Sequence, residues 1–265
     1  MRIRTLATLF ALSLGACTGT LTDDPIEDPG TDPEPNPDPG TGSNANGLTV
    51  TLDKSTINTE YFTTHPIKVT LQGTNGFAGN VALAASVVDA AGVVVPGWTV
   101  ALASASTTLA ANGSAEVMAT LTIPSASTAA AGTVKIVATS TAATVTVNTA
   151  VNTLKQITFN VTQAAGRCVY APAYGTQAAP VPVLLGTKIR IVNKGPATIT
   201  IHGNAPIPHQ STAEGDKLAI DAAYEPAIRT ASVTPGQWYC HAITGGTASG
   251  GSNQNPHVLI MAPPT

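Results

Sequence analysis

From Leu48 onward, apolar residues recur at every second position in short runs. Val50 and Leu52 alternate with threonines, and Ile67, Val69 and Leu71 alternate with Lys68 and Thr70. The same period marks Val81-Leu83-Ala85, Val117-Ala119-Leu121-Ile123, Val134-Ile136-Ala138 and Val145-Val147. A period of two turns one face inward and leaves the other solvated, the pattern of half-buried strands. The runs break at Gly73-Thr-Asn-Gly76, Ala91-Gly92, Pro96-Gly97, Asn112-Gly113 and Ala131-Gly132, all residues of turn chemistry. Several strands at this spacing predict an antiparallel β-sandwich over residues 48–154. A second strand set follows at Ile157–Val161, Lys188–Asn193, Thr198–His202 and Gly236–His241, and it defines a second domain over residues 155–265. The fold class expected is all-β throughout.

The first 47 residues follow a different logic. Arg2 and Arg4 precede an apolar run from Leu6 to Leu14, the layout of a signal peptide over residues 1–16, too short to span a bilayer as a mature helix. Its end, Leu14-Gly15-Ala16-Cys17, resembles the bacterial lipobox. That resemblance implies cleavage before Cys17 and lipidation of its thiol, hence a protein tethered to a membrane of the cell envelope, with the outer membrane, facing periplasm or exterior, as the expected site. Between Asp23 and Asp38 lie seven acidic residues and no basic ones, interleaved with Pro25, Pro29, Pro33, Pro35 and Pro37. Proline removes amide donors and like charges repel, so residues 17–47 are expected to form a disordered spacer behind the lipidated cysteine. At roughly 3 Å per residue it would hold the folded part several nanometres from the membrane.

Composition narrows the classes. Charged residues are 10% of the 265 and the formal net charge is -3, with no Lys/Arg cluster, so a nucleic-acid partner is not expected. Without residues 1–47, eight acids and ten bases remain, and the folded part is nearly neutral. It is expected to be a monomer. Ser106 to Thr139 resembles the Ser/Thr-rich bacterial immunoglobulin-like modules of cell-surface proteins, which implies an immunoglobulin-like sandwich for 48–154 acting as a spacer or adhesive module. No chemistry is evident there, and His65, before Pro66, reads as a solvated loop residue.

Four of the five histidines fall in 155–265, together with Cys168, Cys240 and Met261. Three segments carry a further resemblance: Gly186-Thr-Lys-Ile-Arg-Ile-Val-Asn193, Pro235-Gly-Gln-Trp-Tyr-Cys240 and Pro256-His-Val-Leu-Ile-Met261. They resemble strands of the cupredoxins, Greek-key β-barrels that include the blue copper proteins. The resemblance implies a copper site of His202, Cys240, His257 and Met261, with His209 and His241 as alternates, and a redox protein as partner. Copper of this type takes two imidazoles and a thiolate in a plane with a weak axial thioether. The sequence departs from the family in the sixteen residues between Cys240 and His257 and in the placement of the first histidine.

An alternative stands beside copper. With Cys17 lipidated, Cys168 and Cys240 are an even pair in an oxidising compartment, where a disulfide is the default. Bonded together, they leave no thiolate for copper. The protein would then be a metal-free structural or adhesive surface protein. A third arrangement, zinc or copper held by His202, His209 and His241 alone, remains open at this point. The chain has no Gly-x-Ser-x-Gly, no His-Glu-x-x-His and no phosphate-cradling glycine loop, and it is not expected to be an enzyme.

Overall fold

The computed structural model describes residues 43–45, 47–164, 167–172, 175–208, 217–242 and 256–264. Every regular element among them is a strand. In chain order the first half holds β1 (Ser43–Ala45), β2 (Leu48–Leu52), β3 (Thr56–Glu60), β4 (Thr63–Gly73), β5 (Gly79–Val88), β6 (Thr99–Leu102), β7 (Ser106–Leu109), β8 (Ser114–Ile123), β9 (Ala131–Thr139) and β10 (Thr144–Leu154). The second half holds β11 (Gln156–Ala164), β12 (Arg167–Ala171), β13 (Val181–Leu184), β14 (Lys188–Asn193), β15 (Ile199–Asn204), β16 (Lys217–Leu218), β17 (Ala223–Tyr224), β18 (Gly236–Ala242) and β19 (His257–Met261).

The first ten strands form two five-stranded sheets, ordered β1-β2-β4-β8-β6 and β3-β10-β9-β5-β7. The alternation read from sequence is the cause. Val50, Leu52, Val69, Leu71, Val117, Ala119 and Leu121 all point inward from one sheet, against Val81, Leu83, Val134, Ile136, Val145 and Val147 from the other. Each buried Val, Leu or Ile among them contributes roughly 1.5–3 kcal/mol, and a register slip of one residue would expose them all. Trp98 caps this core at 3% exposure and donates its indole N–H to Ser127 Oγ at 2.8 Å.

Most of the turn residues act as their chemistry requires, but Ala131-Gly132 does not break the chain: it opens β9, paired with Asn152 and Val151 of β10. Asn75 and Gly76 both have positive φ (53° and 80°), the backbone of a tight turn that carries the chain from β4 in one sheet to β5 in the other. Pro96-Gly97 places a φ of 77° on glycine, and Trp98 N–H closes that turn onto Val95 O at 3.3 Å.

Three expectations need correction. The spacer does not extend to residue 47, because Ser43–Ala45 already pair antiparallel with Leu48–Val50, the reversal passing through Gly47 at φ 91°. His65 is not a loop residue. It lies in β4, half-buried, with its Nε2 2.6 Å from Thr59 Oγ1 and 3.1 Å from Thr63 Oγ1. Pro66 is tolerated beside it because β2 pairs β4 only from Val69 onward, leaving a single ladder to β8 at that point. The sheets are also not purely antiparallel: β3–β10, β11–β14 and β13–β19 are parallel pairs. In each a strand early in its half lies beside a later one, reached by a long crossover that a hairpin-only reading does not anticipate.

The last nine strands make a four-stranded sheet, β12-β11-β14-β17, and a five-stranded sheet, β13-β19-β18-β15-β16. Ile157, Phe159, Val161, Ile189 and Ile191 face Ile199, Ile201, Trp238, Val258 and Ile260 across the interior. Asn193, fully buried, organises one end: its amide nitrogen donates to Ala197 O (2.8 Å) and Leu218 O (2.9 Å), and its amide oxygen accepts from Gly195 N–H (3.0 Å). The change from the first strand set to the second falls between β10 and β11. Tyr61 N–H donates to Gln156 O at 3.0 Å, and Ser125 Oγ donates to Pro182 O at 2.6 Å, so hydrogen bonds cross it. All described residues belong to one compact unit, Pro37–Thr265.

Candidate functional site

The two cysteines among the described residues meet in the core of the C-terminal half. Cys168 on β12 and Cys240 on β18 are joined by a disulfide with 6.3 Å between their Cα atoms, and they are 6% and 1% exposed. β12 belongs to the four-stranded sheet and β18 to the five-stranded one, so the bond staples the layers together. Around it the interior is aromatic. Phe159 meets the Trp238 ring edge-to-face with centroids 5.0 Å apart, and Tyr170 does so at 6.3 Å. The Trp238 indole N–H is buried without a hydrogen-bond partner.

This arrangement does not bring the expected copper set together, for two reasons. Cys240 has its sulfur in a disulfide and presents no thiolate. The strand register then separates the remaining donors. Cys240 lies opposite Ile201, and both face the core, whereas His202 lies opposite Tyr239 on the outer surface of the same sheet. Adjacent residues on a strand point to opposite faces, so Cys240 and His202 are divided by the sheet itself. The His202 ring stacks on Tyr239 instead, with centroids 5.0 Å apart and planes 18° from parallel.

His257 and Met261 are displaced as well. Val258 and Ile260 supply the inward positions of β19, placing His257 and Met261 on the outer side, four residues apart. Four residues of strand span about 13 Å, too far for both to bind one ion. His257 is nevertheless only 7% exposed, and its backbone N–H donates to Gly175 O at 3.3 Å. His209 lies outside the described residues. His241 sits on β18 with its backbone opposite Thr200. Among the described residues no group of three or more His, Cys, Asp or Glu side chains is placed to hold a metal ion. The residues present do not fit a type 1 copper centre.

What the register does bring together is a row of polar side chains, two amides and an imidazole, that sequence reading passed over. Asn204 on β15 lies opposite Gln237 on β18, and Gln237 lies opposite His257 on β19. With Gln177 and Pro235 they line a cleft of about 160 Å³. The available signal was the alternation in Gln237-Trp238-Tyr239-Cys240, whose buried Trp and Cys force Gln237 and Tyr239 onto the outer face. Their grouping with Asn204 and Gln177 depends on strand order.

No protein-family model matches the chain, and no curated protein does. Solved structures that match include the E. coli chaperone DraB, at 11% identity and a TM-score of 0.30, covering 82% of this chain and 99% of that one. The Salmonella enterica SafA pilin in complex with the SafB chaperone matches at 9% identity and a TM-score of 0.29, covering 80% and 96%. A family 123 glycoside hydrolase from Clostridium perfringens matches at 12% identity and a TM-score of 0.34 over 41% of this chain, which spans 27% of that enzyme's length.

Proposed function

We propose that the chain is a lipid-anchored cell-envelope protein with a structural or adhesive role. In this reading Cys17 carries the lipid, the acidic, proline-rich segment behind it is a spacer, and the folded part is an immunoglobulin-like sandwich followed by a metal-free, cupredoxin-like one. The observation that carries the reading is the Cys168–Cys240 bond in the core of the C-terminal half. A disulfide at this depth is a structural staple of the kind used by exported domains, and it occupies the sulfur that a copper thiolate would need. The exported compartment it requires agrees with the signal peptide and lipobox read from sequence.

Alkylation with mass spectrometry tests the reading on the purified mature protein. Cys168 and Cys240 should resist alkylation until the protein is both unfolded and reduced, and added Cu(II) should produce no intense blue band. Two alkylated thiols in the native protein, with a thiolate–copper band on titration, would overturn it.

A further inference from the structure

We infer that the outer face of the five-stranded sheet in the C-terminal half binds a neutral saccharide, in the cleft where Asn204, Gln237 and His257 meet Gln177. The inference rests on the adhesive reading above and names the ligand class for it.

The chemistry of the lining points to this class. Side-chain amides each offer two N–H donors and a carbonyl acceptor, and imidazole offers a further donor or acceptor. Among the described lining residues there is no carboxylate, ammonium or guanidinium, so the cleft is equipped for hydrogen bonding to an uncharged ligand. Neighbouring hydroxyls on a sugar ring are paired donors and acceptors of that kind. The row crosses three adjacent strands, roughly 10 Å at the usual strand spacing, the span of a disaccharide. A peptide strand would instead seek an open sheet edge for its backbone and pockets for its side chains. Here the polar groups stand on the face of an inner strand of the sheet, and Pro235 is the lone apolar liner described.

Tyr239 adds the second element. It follows Gln237 by two residues on the same face, roughly 7 Å along the strand. Both it and its stacking partner His202 are partly exposed. An aromatic side chain with an apolar body and polar tip at the margin of an amide-lined cleft suits a ring that has C–H and O–H surfaces.

The walls are also set before any ligand arrives. Gln177 stands in a turn tied by reciprocal backbone hydrogen bonds between Thr176 and Ala179, each 3.1 Å. Gly175, which bridges to His257, has the Ala179 carbonyl and Val181 nitrogen where a Cβ would lie, 2.5 Å from each. Gly203, beside Asn204, has the Ile207 and Pro208 carbonyls 2.7 Å from its Cβ position. Such close backbone approach holds the turn and strand in one arrangement, which lowers the ordering cost of binding.

The test uses the purified mature chain on an array of neutral, sialylated and sulfated glycans, followed by calorimetric titration of the strongest neutral binder. Binding to a neutral glycan is expected, with Kd unchanged within twofold between 0.05 and 0.5 M NaCl, since no ion pair contributes. Asn204→Ala and Gln237→Ala should each weaken it at least tenfold while the melting temperature stays within about 2 °C of the parent. No glycan retained, retention confined to anionic glycans and lost in salt, or undiminished binding by both variants would each overturn the inference. Thiol counting on the same sample separates the two readings. Absent binding with an intact Cys168–Cys240 bond removes the saccharide alone, and free thiols remove the disulfide-locked reading beneath it.

Discussion

Replacing both core cysteines, Cys168→Ala with Cys240→Ala, should be among the most destabilising changes in the C-terminal half that leave its hydrophobic strands intact. The bond closes a loop with a sequence separation of 72. In the chain-entropy treatment, a loop of that length withdraws about 15 cal/mol/K from the unfolded ensemble, or about 4.4 kcal/mol at 25 °C. Alanine also leaves two sulfur-sized gaps next to Trp238 and Tyr170, which adds to the loss. If both halves unfold together, a domain of this size shifts by about 2–4 °C per kcal/mol, a fall of at least 9 °C. If the C-terminal half melts alone, the shift per kcal/mol roughly doubles. Differential scanning calorimetry of the oxidised parent and the double variant measures it. The two tryptophans add resolution, because Trp98 sits in the N-terminal core and Trp238 in the C-terminal one. In Trp98→Phe protein, Trp238 emission should shift to the red at the lower temperature in the cysteine-free background. A shift in midpoint below about 3 °C would refute the reasoning, since the bond would then not be constraining the unfolded chain.

Three further outcomes are expected. Asn193→Ala should cost about 3 kcal/mol or more by denaturant unfolding, because it leaves Ala197 O, Leu218 O and Gly195 N–H without the amide that pairs them in a buried position; a loss under 1 kcal/mol would show that water replaces it. Burial first, and then the Lys54 ammonium, hold the His65 imidazole below its ordinary value. The unfolded chain therefore takes up that proton first, so this contribution to stability is present above about pH 6.5 and is lost as pH falls through the folded value. His65→Gln should flatten the slope of melting temperature against pH below that point, and an unchanged slope would assign it to another group. Cys17→Ser should move the protein from the membrane fraction to the soluble fraction or leave an uncleaved precursor; normal processing with unchanged fractionation would refute the lipobox.

Much of the strand content was legible because alternation is a local property. Leu71, Val69 and Ile67 must all face one way once the segment is extended, and a glycine at a positive φ must end it. The sequence alone therefore determined that the chain is all-β, where most of its strands run, and where most of its turns fall, Ala131-Gly132 inside β9 being the exception. It also singled out Cys168 and Cys240 as the pair on which a choice between staple and ligand depends. It did not determine the parallel pairs such as β11–β14, since pairing of distant strands depends on loop paths that leave no periodic trace. The separation of the expected metal ligands has the same origin. Cys240 and His202 are suitable ligand types near strand ends, yet whether two residues on neighbouring strands share a face is settled by a register of single-residue precision. Here Ile201, not His202, lies opposite Cys240. The same register that divides those two side chains between core and surface aligns Asn204, Gln237 and His257 in one row. That row spans 53 positions of the chain from Asn204 to His257, and only the tertiary pairing of β15, β18 and β19 brings it into being.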